Sequence, residues 1–168
     1  MESLLDTLRE CGLLDSGVLA AGVERGWASG ADVAAYAVER LSAGDDRPEV
    51  VELAAVEDLE SERVTDLLRD WARLDRLPSQ RAEDALRRWM FAALTAISRS
   101  GTSTEEMLDR LEETYAMFGY PEEMRKCSRY YMPPQDRARG IRVGEVTDSP
   151  LEAMNQLLSQ LKREFGVA

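Results

Sequence analysis

Histidine is absent from the 168-residue chain. Its absence removes the commonest general base and the commonest transition-metal ligand together. His-based triads, HExxH zinc sites and ExxH di-iron sites are therefore excluded. Cysteine is scarce: Cys11 and Cys127 are the only two, too far apart for a CxxC motif and too few for a disulfide scaffold. Two reduced, partly buried thiols are expected. Lysine is almost as rare, so Ser–Lys chemistry would have to use Lys126 or Lys162, the only two among 21 basic residues. There is no Gly-rich phosphate loop. No apolar run approaches the roughly 20 residues that cross a bilayer. The start, MESLLDTLRE, has no basic stretch ahead of an apolar one, so no secretion signal is read and a cytoplasmic protein is expected.

Basic residues are outnumbered, 21 against 32 acids, for a net charge of −11. A field of that sign repels nucleic-acid phosphates and attracts a basic protein. The expectation is thus a basic protein partner, with no nucleic acid and no membrane. The sequence does not specify an oligomeric state.

What is present is helical periodicity. Val64, Leu67, Leu68, Trp71 and Leu74 make one apolar stripe. Ala82, Ala85, Leu86, Trp89, Met90, Ala93, Leu94 and Ile97 make a five-turn stripe, which predicts a central helix. Met107, Leu108, Leu111, Tyr115 and Phe118 make a third, and Leu151, Met154, Leu157, Leu158, Leu161 and Phe165 a fourth. Each must bury one face. Ser103 with Glu106 has capping-box spacing, and Ser149, Pro150 and Glu152 supply an N-cap, an N1 proline and an N3 acid. In the first half, helices are predicted at Leu4–Cys11, Ser16–Gly26, after the N-cap Ser29, and at Pro48–Leu59. From Pro133 to Asp148 the period lapses, and Ile141, Val143 and Val146 predict an extended strand or a packed loop. Together these point to an all-α fold. The expectation is a single domain over 1–168, an irregular bundle of about seven helices, with stacked helix pairs as its variant.

Two constellations stand out. The first is AGDDRPEVVELAAVEDLESE, where eight acids, among them Asp45, Asp46, Glu49 and Glu52, face only Arg47. It predicts a negative docking face or a plain solvated helix. The second is residues 115–134, YAMFGYPEEMRKCSRYYMPP, which hold four of five tyrosines and three of six prolines. FGYPEEM reads as a helix-to-helix corner: Gly119 closes one helix, Pro121 opens the next at N1, and Glu122 and Glu123 fill its first turn. Tyr130 and Tyr131 then run into Pro133 and Pro134, which stop it. Such bulky residues suit either a core plug or an interface. The candidate partner-binding residues are accordingly Asp45, Asp46, Glu49, Glu52, Tyr115, Phe118, Tyr120, Glu122, Glu123, Tyr130 and Tyr131. Carboxylates at i and i+3, Glu49 with Glu52 and Glu106 with Asp109, match the spacing of all-α magnesium-dependent nucleotide pyrophosphohydrolases. Pairs of that kind arise by chance in so acidic a chain. No catalytic residue, metal or cofactor is assigned.

The segment resembles the bacterial domain-of-unknown-function family 2247, whose members carry YxxFxYPEE and then YMP. Here these are Tyr115, Phe118, Tyr120, Pro121, Glu122 and Glu123, then Tyr131, Met132 and Pro133. GWASGADVAAYAVERL is similar too, through its Tyr36-Ala37 pair. Met117 departs from the pattern, standing where an acid is expected. Because similar small bacterial proteins are thought to act as immunity proteins beside toxins, the resemblance implies a binding role. The expected function is a non-catalytic protein-binding module, with the pyrophosphohydrolase and a scaffolding module as alternatives.

Overall fold

The computed structural model describes residues 3–57, 62–75, 82–132 and 149–167. The described residues contain helices and turns and no strand. The helices are α1 (Leu4–Glu10), α2 (Ser16–Glu24), α3 (Gly30–Ser42), α4 (Pro48–Ala54), α5 (Glu62–Asp75), α6 (Ala82–Arg99), α7 (Thr104–Met117) and α8 (Pro150–Phe165), with a 3₁₀ segment at Glu122–Cys127 between the last two. The fold is all-α, as the periodicity predicts. Ile141, Val143 and Val146, the expected strand or loop, lie outside the described residues, as do Leu59, Pro133 and Pro134.

The chain contacts cluster into two compact units. One is Leu8–Trp89; the other takes the start of the chain to Thr7 and what is described from Met90 on.

In the Leu8–Trp89 unit, α3 packs on α4 and α2 on α5. Val18, Leu19, Val33, Val50, Leu53, Val64, Leu68 and Trp71 are all within 2% of full burial. The caps explain where the helices begin. Ser29 and Asp32 form the capping box of α3, and Asp15 caps α2 by accepting from Val18 N at 2.8 Å. The other oxygen of Asp15 takes the Arg88 guanidinium at 2.8 Å, which links the start of α2 to α6. Leu74, on the predicted stripe of α5, is exposed, as are Val38 and Leu41 of α3. Helix α4 ends at Ala54, short of the expected Leu59. Ala55 closes it, returning its N–H to Glu52 O at 3.2 Å, and Val50 and Leu53 are its two buried residues.

The closest backbone approach is at Gly22 of α2. A Cβ there would lie 2.4 Å from the Trp89 indole. Trp89 is fully buried, and its indole N–H donates to Val18 O at 2.8 Å. Trp27 packs on the same ring, centroids 5.7 Å apart. Neither partner can yield without breaking a buried hydrogen bond.

A polar cluster lies over Trp71. Arg47 bridges Asp45 and Asp75, both at 2.5 Å, and its guanidinium stands 6.0 Å from the Trp71 ring centroid. Ser16 donates to Asp75. Tyr36 stacks on the Trp71 ring, centroids 5.5 Å apart. The Arg47 bonds hold the Asp45 carboxyl below its ordinary range and raise the guanidinium further. Burial pushes the Tyr36 phenol up to about 12.

In the second unit, Phe91, Ala92 and Thr95 are buried although they fall off the α6 stripe. From Met90 to Thr95 every residue of the helix is thus buried. The 3₁₀ segment packs on α7 and α8, with Met124, Cys127, Met154 and Leu161 at its core. Burial raises the Cys127 thiol to about 11, so it is inert as a nucleophile near neutral pH. Ser149 stands at the N-cap of α8 but makes no side-chain capping bond.

Three outcomes are expected. Gly22→Ala should destabilise the protein by about 1–3 kcal/mol through overpacking, read as a lower denaturation midpoint with an unchanged slope. Arg47→Ala should cost about 2–3 kcal/mol, because two largely buried carboxylates lose their partner; Arg47→Ala in an Asp75→Asn background should cost clearly less if the bridge is the cause. Tyr36 carries an alkaline signature. Its folded pKa is raised, so its contribution is full below the ordinary value of 10.0 and is lost as pH rises from there towards about 12. Urea unfolding of Tyr36→Phe should match the parent within about 1 kcal/mol at pH 7 and fall less between pH 10 and 12. An identical alkaline loss in both proteins would show that Tyr36 is not its source.

Candidate functional site

Helix α7 closes at the aromatic corner with a left-handed cap. Gly119 (φ 72) and Tyr120 (φ 60) both have positive φ. Their N–H groups return to Ala116 O at 2.9 Å and Tyr115 O at 2.9 Å, which satisfies carbonyls that a helix end otherwise leaves open. Gly119 adopts this conformation freely. Tyr120 does so at about 1–2 kcal/mol, and it is the only non-glycine residue at positive φ among the described residues. Pro121 disfavours the right-handed alternative at the residue before it. The Tyr120 ring meets Tyr115 edge-to-face at 5.1 Å. Tyr120 is nevertheless 65% exposed.

Pro121 is an N-cap residue here, and the helix it opens is 3₁₀, not α. Glu122 and Glu123 do occupy its first turn. The segment stops at Cys127, before the expected proline stop, and the reason is a carboxylate on another element. Glu112 of α7 accepts from Arg129 N at 2.6 Å and from Ser128 Oγ at 3.2 Å. Ser128 Oγ in turn accepts from Tyr130 N at 3.2 Å. Those bonds take the chain out of helix. Arg129 then reaches along α7 to Glu105 at 3.1 Å and Asp109 at 2.5 Å. Arg125 pairs with Glu122 at 2.9 Å and lies 5.3 Å over the Tyr131 ring.

Tyr115, Arg125, Ser128, Tyr130, Tyr131 and Met132 line a small hollow of about 210 Å³. Tyr115 is half-buried, and burial raises its phenol with help from Glu122. Phe118 is half-buried and Tyr130 is 69% exposed. Met117, off the family pattern, is also exposed. The seven predicted residues of this segment, Tyr115, Phe118, Tyr120, Glu122, Glu123, Tyr130 and Tyr131, thus lie on one folded corner.

The four acids of the first constellation lie in the other unit. Asp45 is tied to Arg47 and also faces Arg40 at 3.7 Å, its side chain only 10% exposed. Glu52 is paired with Arg63. Asp46 is exposed and Glu49 half-buried. Three of the four magnesium-type carboxylates are similarly engaged: Glu106 completes the capping box of α7, and Asp109 and Glu52 hold arginines. No group of three or more acids or cysteines converges to hold a metal ion among the described residues. Ser159 and Lys162 stand at SxxK spacing on α8, a pair the sequence reading overlooked. The Ser159 hydroxyl donates to Asn155 O at 2.7 Å, the bond of an ordinary solvent-facing helical serine.

Among the described residues, no helix is long and apolar enough to cross a membrane. No curated protein and no solved structure is significantly similar to the chain. A family model described as "uncharacterized protein conserved in bacteria (DUF2247)" matches residues 5–164. That span includes both the Tyr36 helix and the aromatic corner, and the chain belongs to this family.

Proposed function

We propose that this protein works by binding a basic protein partner through the aromatic corner, and that it does so in the cytoplasm without catalysing a reaction. One observation carries the reading. Tyr120 and Tyr130 are largely exposed on a corner braced by the Glu112 bonds and the Arg129 bridges. The corner also carries exposed carboxylates in its 3₁₀ turn, Glu122 and Glu123. Tyrosine faces accept arginine and lysine side chains, and the carboxylates favour the same cations. A rigid backbone lowers the entropy lost on docking. The left-handed Tyr120 fits this role, because strain of that kind persists where a side chain must be held in one place. The family resemblance suggests the partner's kind: a toxin encoded beside this chain, which the protein would neutralise.

The test uses the product of the neighbouring gene, titrated by calorimetry against the purified protein. Binding should weaken steadily from low to physiological salt, as exposed charges are screened. Tyr120→Ala and Tyr130→Ala should each weaken it by about 1–2 kcal/mol, roughly tenfold, with melting temperatures near the parent's. A neighbouring product that does not bind removes the toxin assignment. A complex indifferent to both substitutions removes the corner as its site.

A further inference from the structure

Helix α8 and the 3₁₀ segment enclose a groove of about 650 Å³ that is separate from the tyrosine hollow. Its lining is unlike the rest of the surface. Asn155, Gln156, Ser159 and Gln160 line it from α8, with Arg163 at the far end and Lys126 on the facing wall. Cys127 and Leu157, both buried, contribute an apolar patch between them. Asn155 with Ser159, and Gln156 with Gln160, are i,i+4 pairs, so the polar groups form rows along one helix face.

The charges set the sign of the ligand. Among the described residues, neither Lys126 nor Arg163 takes part in an ion pair or a side-chain hydrogen bond. Their neighbours behave differently: Arg125 and Arg129, on the same stretch as Lys126, are both ion-paired. Glu123, which also lines the groove, is engaged in an interaction of its own. Among the described residues, Lys126 and Arg163 therefore stand open in one concavity.

The amides narrow the ligand further. A bare anion such as phosphate offers acceptors only, and would engage the N–H groups of Asn155, Gln156 and Gln160 while their carbonyl oxygens stayed with water. A polypeptide main chain offers an N–H and a C=O at every residue, which a side-chain amide matches with both of its atoms. From Ala153 to Arg163 the helix advances about 15 Å, the length of four to five extended residues at about 3.3 Å each. We infer that this groove binds an extended acidic peptide segment of another protein: main chain along the amide rows, carboxylates on Lys126 and Arg163, and one small apolar side chain on the Cys127–Leu157 patch. This second site is opposite in charge preference to the tyrosine corner and does not depend on it.

The experiment is fluorescence anisotropy of the full chain with a labelled positional-scanning library of acidic nonapeptides, beside a lysine-substituted library and sodium citrate as competitor. The acidic library should yield saturable binders and the basic one none. The double variant Lys126→Glu, Arg163→Glu should weaken the best binder about tenfold or more and flatten its salt dependence. Gln156→Ala with Gln160→Ala should weaken it several-fold while leaving the salt dependence alone. All four positions are exposed, so the variants should melt near the parent's temperature. Amide shifts in an NMR titration should cluster at Lys126 and 153–163. No saturable acidic binder, equal binding of basic peptides, or full displacement by citrate at the peptide's own concentration would each overturn the assignment, the last by showing a small-anion site.

Discussion

Glu112 sits mid-helix in α7, and its two oxygens hold the chain 16 and 17 residues further on, at Ser128 and Arg129. The geometry of the corner follows from that one carboxylate. An N–H given to Glu112 is an N–H withheld from the next helical turn, so the 3₁₀ segment ends at Cys127. With Arg129 held there, its guanidinium lies back along α7 to Glu105 and Asp109. With Ser128 held there, its hydroxyl oxygen takes the Tyr130 N–H. The two ends of the corner, the left-handed cap at Gly119–Tyr120 and the turn at Ser128–Tyr130, are thereby fixed on one helix. A charged acceptor is suited to the task, since bonds to ionised groups are roughly twice as strong as neutral ones.

A similar arrangement recurs in the other unit. Arg47 stands between Asp45 and Asp75 as Glu112 stands between Ser128 and Arg129. Arg47 ties Asp45 to Asp75, and Glu112 ties α7 to the Ser128–Arg129 turn; in each case one side chain makes two charge-assisted bonds at once. Asp15 is a third example, capping α2 with one oxygen and holding Arg88 with the other. The lack of histidine leaves this network of carboxylates and guanidiniums without a group of ordinary pKa near 7.

The helices were legible because their signals are local. Ser29 with Asp32 and Ser103 with Glu106 act within four residues, and a stripe such as Leu151 to Phe165 repeats with the helix period. What escaped was decided at longer range. Phe91, Ala92 and Thr95 lie off the apolar stripe of α6, and only the elements around it make them core. Leu74 lies on a stripe yet is exposed, because nothing in a period states how far along a helix its partner extends. The cap at Gly119 was readable from glycine; the second left-handed residue, Tyr120, was not, because tyrosine resists that conformation. For the candidate site, the aromatic clustering was visible in the chain. The bond from Glu112 that shapes it spans too many residues for any spacing rule, and the commitment of Asp45 to Arg40 and Arg47 could not be told from a free acidic face by counting charges.

Net charge alone is likewise a poor guide to where this surface can bind. A value of −11 describes the field felt at a distance, where the signs have averaged. At physiological ionic strength the screening length is about 8 Å, shorter than the roughly 15 Å run of α8 along its groove. A ligand within the groove therefore responds mainly to Lys126 and Arg163, while one at the corner responds to Glu122 and the tyrosine faces. The long-range field speeds the approach of a basic partner and slows that of an acidic one. It changes encounter rates more than the strength of a seated complex. The same chain can thus hold a cation-seeking and an anion-seeking surface, provided that the arginines between them are neutralised by their own acids, as Arg125 and Arg129 are.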